Sequence, residues 1–140
     1  MQIPELVKKQ KDWFHQGHTL PYEFRKEQLL KLKEMLQNYE KDMYTELKKD
    51  LNKSEYEAFL SDIGILYKET SEAIKHLHRW MKREKVKTPM THFGSKSYIY
   101  KEPYGVTLII SPWNYPLNLT IAPLIGAIAA GNCAIIKPSE

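Results

Sequence analysis

At 140 residues, 42% apolar and 27% charged, the chain has the make-up of one modest folded domain, not of a disordered or fibrous segment. Its net charge of +4 comes from 21 cations interleaved with 17 anions, too even a mixture to point to nucleic acid. The single cysteine, Cys133, excludes an intrachain disulfide and a cysteine-built metal site and suits a reducing, cytoplasmic setting.

The first residues carry scattered charges and no apolar h-region, so no secretory signal is read there. A short helix is predicted over Pro4 to His15, followed by a loop from His18 to Pro21. Leu29, Leu32, Leu36, Tyr39, Met43, Leu47 and Leu51 then recur every three or four residues, which predicts one long helix with a single buried stripe. Ser54 with Glu57 three residues on has capping-box spacing and starts the next helix. Tyr56, Leu60, Ile63, Tyr67, Ile74, Leu77 and Trp80/Met81 continue its apolar face, imperfectly around Thr70 and Ser71. The cations Lys75, Arg79, Lys82, Arg83, Lys85 and Lys87 read as a solvated helix end, and Thr88-Pro89 closes the helical region.

Beyond residue 88 lie only three of the 21 cations and two of the 17 anions, which marks a change of architecture. Lys96 to Glu102 alternates polar and apolar residues as a half-buried strand does, and Pro103-Tyr-Gly105 supplies a turn. Val106 to Ile110 is an apolar, β-branched run of the kind covered on both faces. Ser111 to Asn114 forms a loop, Leu117 to Ala130 a helix with small residues for close sheet contact, Gly131-Asn132 its C-cap, and Cys133 to Ile136 a second buried strand. Strand, helix, strand in this order predicts a right-handed parallel crossover. Pro103 to Ile136 carries no charge and is long enough to span a bilayer, yet Pro112, Asn114, Pro116, Asn118, Pro123 and Asn132 interrupt it and argue against a membrane span. No GxGxxG, P-loop, repeat or metal-ligand spacing occurs, and the five histidines read as surface or capping residues.

Ile110-Ser-Pro-Trp-Asn-Tyr-Pro-Leu, Pro123-Leu-Ile-Gly-Ala-Ile-Ala-Ala-Gly-Asn132 and Ile136-Lys-Pro-Ser-Glu140 together closely resemble the NAD(P)-dependent aldehyde dehydrogenases. Arg25-Lys-Glu-Gln-Leu, Asp50-Leu-Asn-Lys-Ser and Lys101-Glu-Pro-Tyr-Gly105 resemble the N-terminal region of the class 3 branch, so the resemblance covers essentially the whole chain. It implies an α/β fold: an N-terminal helical segment over 1–88, a strand and linker of the oligomerisation region over 89–104, and the first βαβ unit of a Rossmann-like nucleotide-binding domain over 105–140, incomplete as given.

By the same resemblance Asn114 is the donor to the oxyanion formed when a cysteine thiolate attacks the aldehyde, a task a fixed neutral amide suits. Lys137 and Glu140 match residues that hold the adenosine ribose of NAD or NADP, at a strand exit where open α/β sheets bind ligands. Ser111, Pro112 and Trp113 match the loop lining the nicotinamide, although Trp113 reads equally as a packing residue. Cys133 falls inside a strand and reads as an inert buried thiol, not the nucleophile. The nucleophile, the general-base glutamate and the glycine motif are expected beyond residue 140. The chain is therefore expected to be the N-terminal piece of a longer, homodimeric enzyme acting on a small-molecule aldehyde of unspecified chain length, inactive by itself and with an open sheet edge. A CoA-dependent acylating relative is the nearest alternative, and a noncatalytic helical interaction module is the alternative of another class.

Overall fold

The first helix, α1 (Ile3–His15), starts where Pro4 fixes the backbone and the Glu5 carboxylate accepts from the Gln2 amide at 3.1 Å. This computed structural model describes residues 2–139. The long helix expected across Leu29 to Leu51 is two: α2 (Tyr22–Asn38) and α3 (Glu40–Leu51). They break at Tyr39, whose backbone leaves the helical basin while its side chain stays exposed, so the apolar stripe is interrupted there. Asn52 ends α3 in the left-handed conformation, at φ 54°, which an asparagine tolerates.

Ser54 caps the next helix as expected, its hydroxyl accepting from the Glu57 amide at 3.2 Å. That helix is not uniform. One α turn, α4 (Glu55–Ala58), opens into a π turn over Phe59–Ile63 before α5 (Gly64–Trp80) resumes the α spacing. The Gly64 amide reaches back to the Phe59 carbonyl, a five-residue bond that takes one extra residue into the turn. The phase of the buried face changes there, so Tyr56 and Leu60, expected inside, are exposed, while Ala58, Asp62, Ile63, Leu66, Thr70, Ala73 and Leu77 are buried. Thr70 costs little because its hydroxyl donates to the Leu66 carbonyl at 2.7 Å.

The helical region ends at Trp80, earlier than Thr88. Glu84–Val86 forms a strand, β1, antiparallel to β2 (Ser97–Ile99), with Lys85 opposite Tyr98. Arg83 lies over the Tyr98 ring at 4.1 Å and donates to the Tyr100 hydroxyl at 2.9 Å, so part of the basic stretch belongs to a hairpin and not to a helix end.

A parallel crossover forms from β3 (Val106–Ile110), α6 (Asn118–Ala130) and β4 (Cys133–Lys137), with Val106 opposite Cys133, and β4, expected to be buried, is buried only at Cys133. Gly105 and Gly131 take left-handed conformations at φ 112° and 88°, and the Asn132 side chain accepts from the Gly105 amide at 2.9 Å, tying the two strand entrances together. α6 lies against α2 and α5, where Leu29, Leu32, Leu36, Leu66, Leu77, Ile125 and Ala129 make the main core. β3 is not covered on both faces among the described residues: Leu108 is 62% and Ile110 68% exposed. Residues two apart on a strand share a face, so these two define an open side of the sheet.

Candidate active site

Because β3 and β4 run parallel, their exits lie side by side, and the Ser111 amide donates to the Lys137 carbonyl at 3.1 Å. The loop after β3 and the residue closing β4 thus meet at one edge, the carboxyl end of a parallel pair. Ser111 is buried, with its hydroxyl 2.7 Å from that of Thr120, and Thr120 also donates to the Pro116 carbonyl. These bonds fix the loop at its start and at its return to α6. Between them Pro112, Trp113 and Asn114 face outward, Trp113 with two-thirds of its surface exposed, so its ring packs little here. Lys137 is exposed at the strand exit. The ribose role read for Glu140 falls outside the described residues.

Asn114 is held by its backbone. Its carbonyl, not its amide side chain, accepts from Lys53 Nζ at 3.2 Å, and the same ammonium sits 4.4 Å from the centre of the Tyr115 ring. Lys53 is only 7% exposed and pairs with Asp62, which is fully buried, at 2.7 Å. Asp62 also accepts from the Ser61 hydroxyl at 3.0 Å and, through its other oxygen, from the Asn118 backbone amide at 3.1 Å. The Asn118 side chain closes the set by donating to the Ser61 carbonyl at 3.0 Å. A carboxylate is well placed there, since the first amides of α6 have no partner within the helix and carry its positive dipole end.

Sequence reasoning missed Lys53, Ser61, Asp62 and Asn118. One signal was available: an aspartate between Leu60 and Ile63, two positions the period places inward, where a buried charge must be paired. Cys133 lies in β4, buried, and burial pushes its thiol above the ordinary range, the opposite of what activates a nucleophile. Among the described residues no group of three His, Cys, Asp or Glu could hold a metal, and no helix is long and apolar enough to cross a membrane.

A parallel crossover with a braced, outward-facing loop at the strand exits, backed by a helical layer, defines an α/β protein of the Rossmann-like kind. The sequence matches the Aldehyde dehydrogenase family over residues 1–140, and the chain belongs to that family. It is 52% identical over 130 residues to 4,4'-diaponeurosporen-aldehyde dehydrogenase of Staphylococcus aureus, covering 93% of this chain and 28% of that protein. It is 43% identical over 138 residues to human aldehyde dehydrogenase family 3 member B1, covering 99% of this chain and 30% of that one. The solved structure of Staphylococcus aureus AldH in a substrate-bound state superposes with a TM-score of 0.96 at 50% identity, covering all of this chain and 31% of that one. An NAD-dependent benzaldehyde dehydrogenase from Corynebacterium glutamicum gives a TM-score of 0.77 at 26% identity, covering 94% of this chain and 27% of that one. The chain thus spans under a third of the length of the relatives it matches.

Proposed function

We propose that these residues serve an enzyme oxidising an aldehyde to the carboxylic acid with NAD or NADP, and that they supply part of the cofactor cradle and the oxyanion donor. The observation that carries this reading is the Asn114 loop: its backbone is clamped while its amide is left facing outward at the carboxyl end of the parallel strands. In this reading a cysteine thiolate adds to the aldehyde carbon, the carbonyl oxygen becomes an alkoxide, and the Asn114 amide donates to it. A fixed neutral donor of this kind needs no rearrangement as the charge develops. Cys133 is buried in β4, so the attacking thiolate is not among these residues. Ser111, Pro112 and Trp113 line the nicotinamide side, and Lys137 and Glu140 hold the adenosine ribose. The exposed ammonium at a strand exit suits that task. The nicotinamide, when bound, supplies the hydride acceptor.

Support for the cofactor comes from the family and from the benzaldehyde dehydrogenase relative, whose name specifies NAD. The Staphylococcus aureus relative's name makes 4,4'-diaponeurosporen-aldehyde one substrate to assay. We assign 1–88 to a helical segment, 89–104 to the strand and linker of an oligomerisation region, and 105–140 to the first unit of the cofactor-binding domain, within a homodimeric cytoplasmic enzyme. In the active enzyme carrying these residues, Asn114→Ala should slow acylation by about 3 kcal/mol, roughly 100-fold, in single-turnover kinetics. An unchanged acylation rate would refute the donor role.

A further inference from the structure

We propose that Lys53 and Asp62 are positioning residues for the oxyanion loop, an inference that rests on the donor role proposed for Asn114. The buried ion pair holds the loop from beneath and pins the first turn of α6, so the two ends of the loop share one support.

An ammonium has three protons to donate, and here each has a partner: Asp62 at 2.7 Å, the Ser61 hydroxyl at 3.3 Å and the Asn114 carbonyl at 3.2 Å. The third partner lies 61 positions away in the chain, on the residue whose side chain faces the proposed reaction. Asp62 is as fully used, with Lys53 and Ser61 on one oxygen and the Asn118 amide on the other. Taking two charges out of water is expensive, and apolar pairs of similar size often leave stability unchanged or higher. Stability is therefore a poor reason for the pair. An apolar pair could fill the volume, but it could not hold the Asn114 carbonyl or cap the Asn118 amide. The clamp takes hold of the Asn114 backbone and leaves its amide outward, which is the arrangement a fixed donor requires.

The π turn is what puts Asp62 in place. It admits an extra residue between α4 and α5 and so brings a carboxylate inward beneath the loop. A π turn inside an α-helix is often found at functional sites.

The test is a double-mutant cycle in the active enzyme carrying these residues, reading single-turnover acylation for wild type, Lys53→Met/Asp62→Asn, Asn114→Ala and the combination. Asparagine keeps an acceptor for the Asn118 amide while the charges are removed together. A misplaced reacting group commonly loses on the order of 100-fold, so the paired substitution should slow acylation by roughly that factor with NAD+ affinity unchanged. In the Asn114→Ala background it should cost less than about 2-fold, because residues acting as a unit are not additive. The same fold-loss in both backgrounds, or no loss in the first, overturns the clamp alone. An Asn114→Ala enzyme that acylates normally overturns the donor role and the clamp with it. Lys53→Arg keeps the charge opposite Asp62 but replaces the compact ammonium with a planar fork, and it is read in the same cycle if the paired variant does not fold. Additivity there is equally fatal to the clamp.

Discussion

Gly131 stands where α6 hands over to β4, at φ 88°, and the Arg25 guanidinium lies against its open side. A Cβ at that position would come within 2.5 Å of the guanidinium carbon. Arg25 cannot simply withdraw, because it donates to the Thr19 carbonyl at 3.0 Å and to the Ala129 carbonyl at 3.3 Å, one of the last carbonyls of α6. Thr19 in turn donates to the Gly131 carbonyl at 2.7 Å. Gly131→Ala therefore combines left-handed backbone strain with overpacking against a buried charged group. It should cost at least about 2 kcal/mol in urea unfolding; a loss below about 0.5 kcal/mol would show that the Arg25 contact yields freely. The sequence announced this glycine as a helix cap. It gave no hint of Arg25, which approaches from more than a hundred residues earlier.

At the scale of elements, the π turn explains why the helical period misplaces Tyr56 and Leu60. A period of 3.6 carried through Tyr56, Leu60 and Ile63 assumes constant spacing, and one extra residue in the turn shifts every later position relative to the earlier ones. The period places Leu29, Leu32, Leu36 and Leu77 inward, where they lie, and Tyr56 and Leu60 inward, where they do not. The loop from Ser111 to Asn114 was legible as a loop because its residues are contiguous. The clamp beneath it was not, since Lys53, Asp62 and Asn118 meet only after folding. Gly64 makes the π turn possible: a Cβ there would sit 2.9 Å from the Phe59 carbonyl oxygen and 3.0 Å from its ring. Gly64→Ala should destabilise the protein by about 1–3 kcal/mol, measured by thermal or urea unfolding, and an unperturbed midpoint would contradict that packing.

The junction of α2, α3 and α5 gives a pH dependence with a definite sign. Tyr67 donates to the Glu40 carboxylate at 2.7 Å, and Tyr44 donates to its other oxygen at 3.1 Å. Burial first, and then the bond to Glu40, push both phenols above their ordinary range. The folded protein therefore keeps protons that the unfolded chain releases at the ordinary tyrosine value. Their stabilisation is present below that value and is lost as pH rises above it. Unfolding free energy should start to fall near the ordinary tyrosine value of about 10 and go on falling as pH rises towards the raised folded value. Tyr67→Phe should flatten that fall and cost about 1–2 kcal/mol near neutrality; an unchanged slope would place the titration elsewhere.

For the molecule as a whole, the helical layer and the sheet are unequally finished. α2, α5 and α6 bury a continuous leucine-rich core, whereas β3 and β4 form a two-stranded sheet, and a strand pair has little stability without packing. What holds the pair is α6 together with α1, whose Phe14 ring packs beside Gly105 at the strand entrance. Among the described residues the side bearing Leu108 and Ile110 has no such cover. Exposed apolar strands of this sort attract other apolar surfaces, including dyes and further copies of the chain. The 140-residue chain on its own should therefore bind ANS and self-associate as its concentration rises. Leu108→Lys with Ile110→Lys should suppress both effects while changing stability by less than about 1 kcal/mol, because neither side chain is buried where it stands. Analytical ultracentrifugation and ANS fluorescence on the two proteins decide the matter. A monomeric wild-type chain that unfolds cooperatively and leaves the dye dark would mean that the open face is closed in solution by a rearrangement of its own helices.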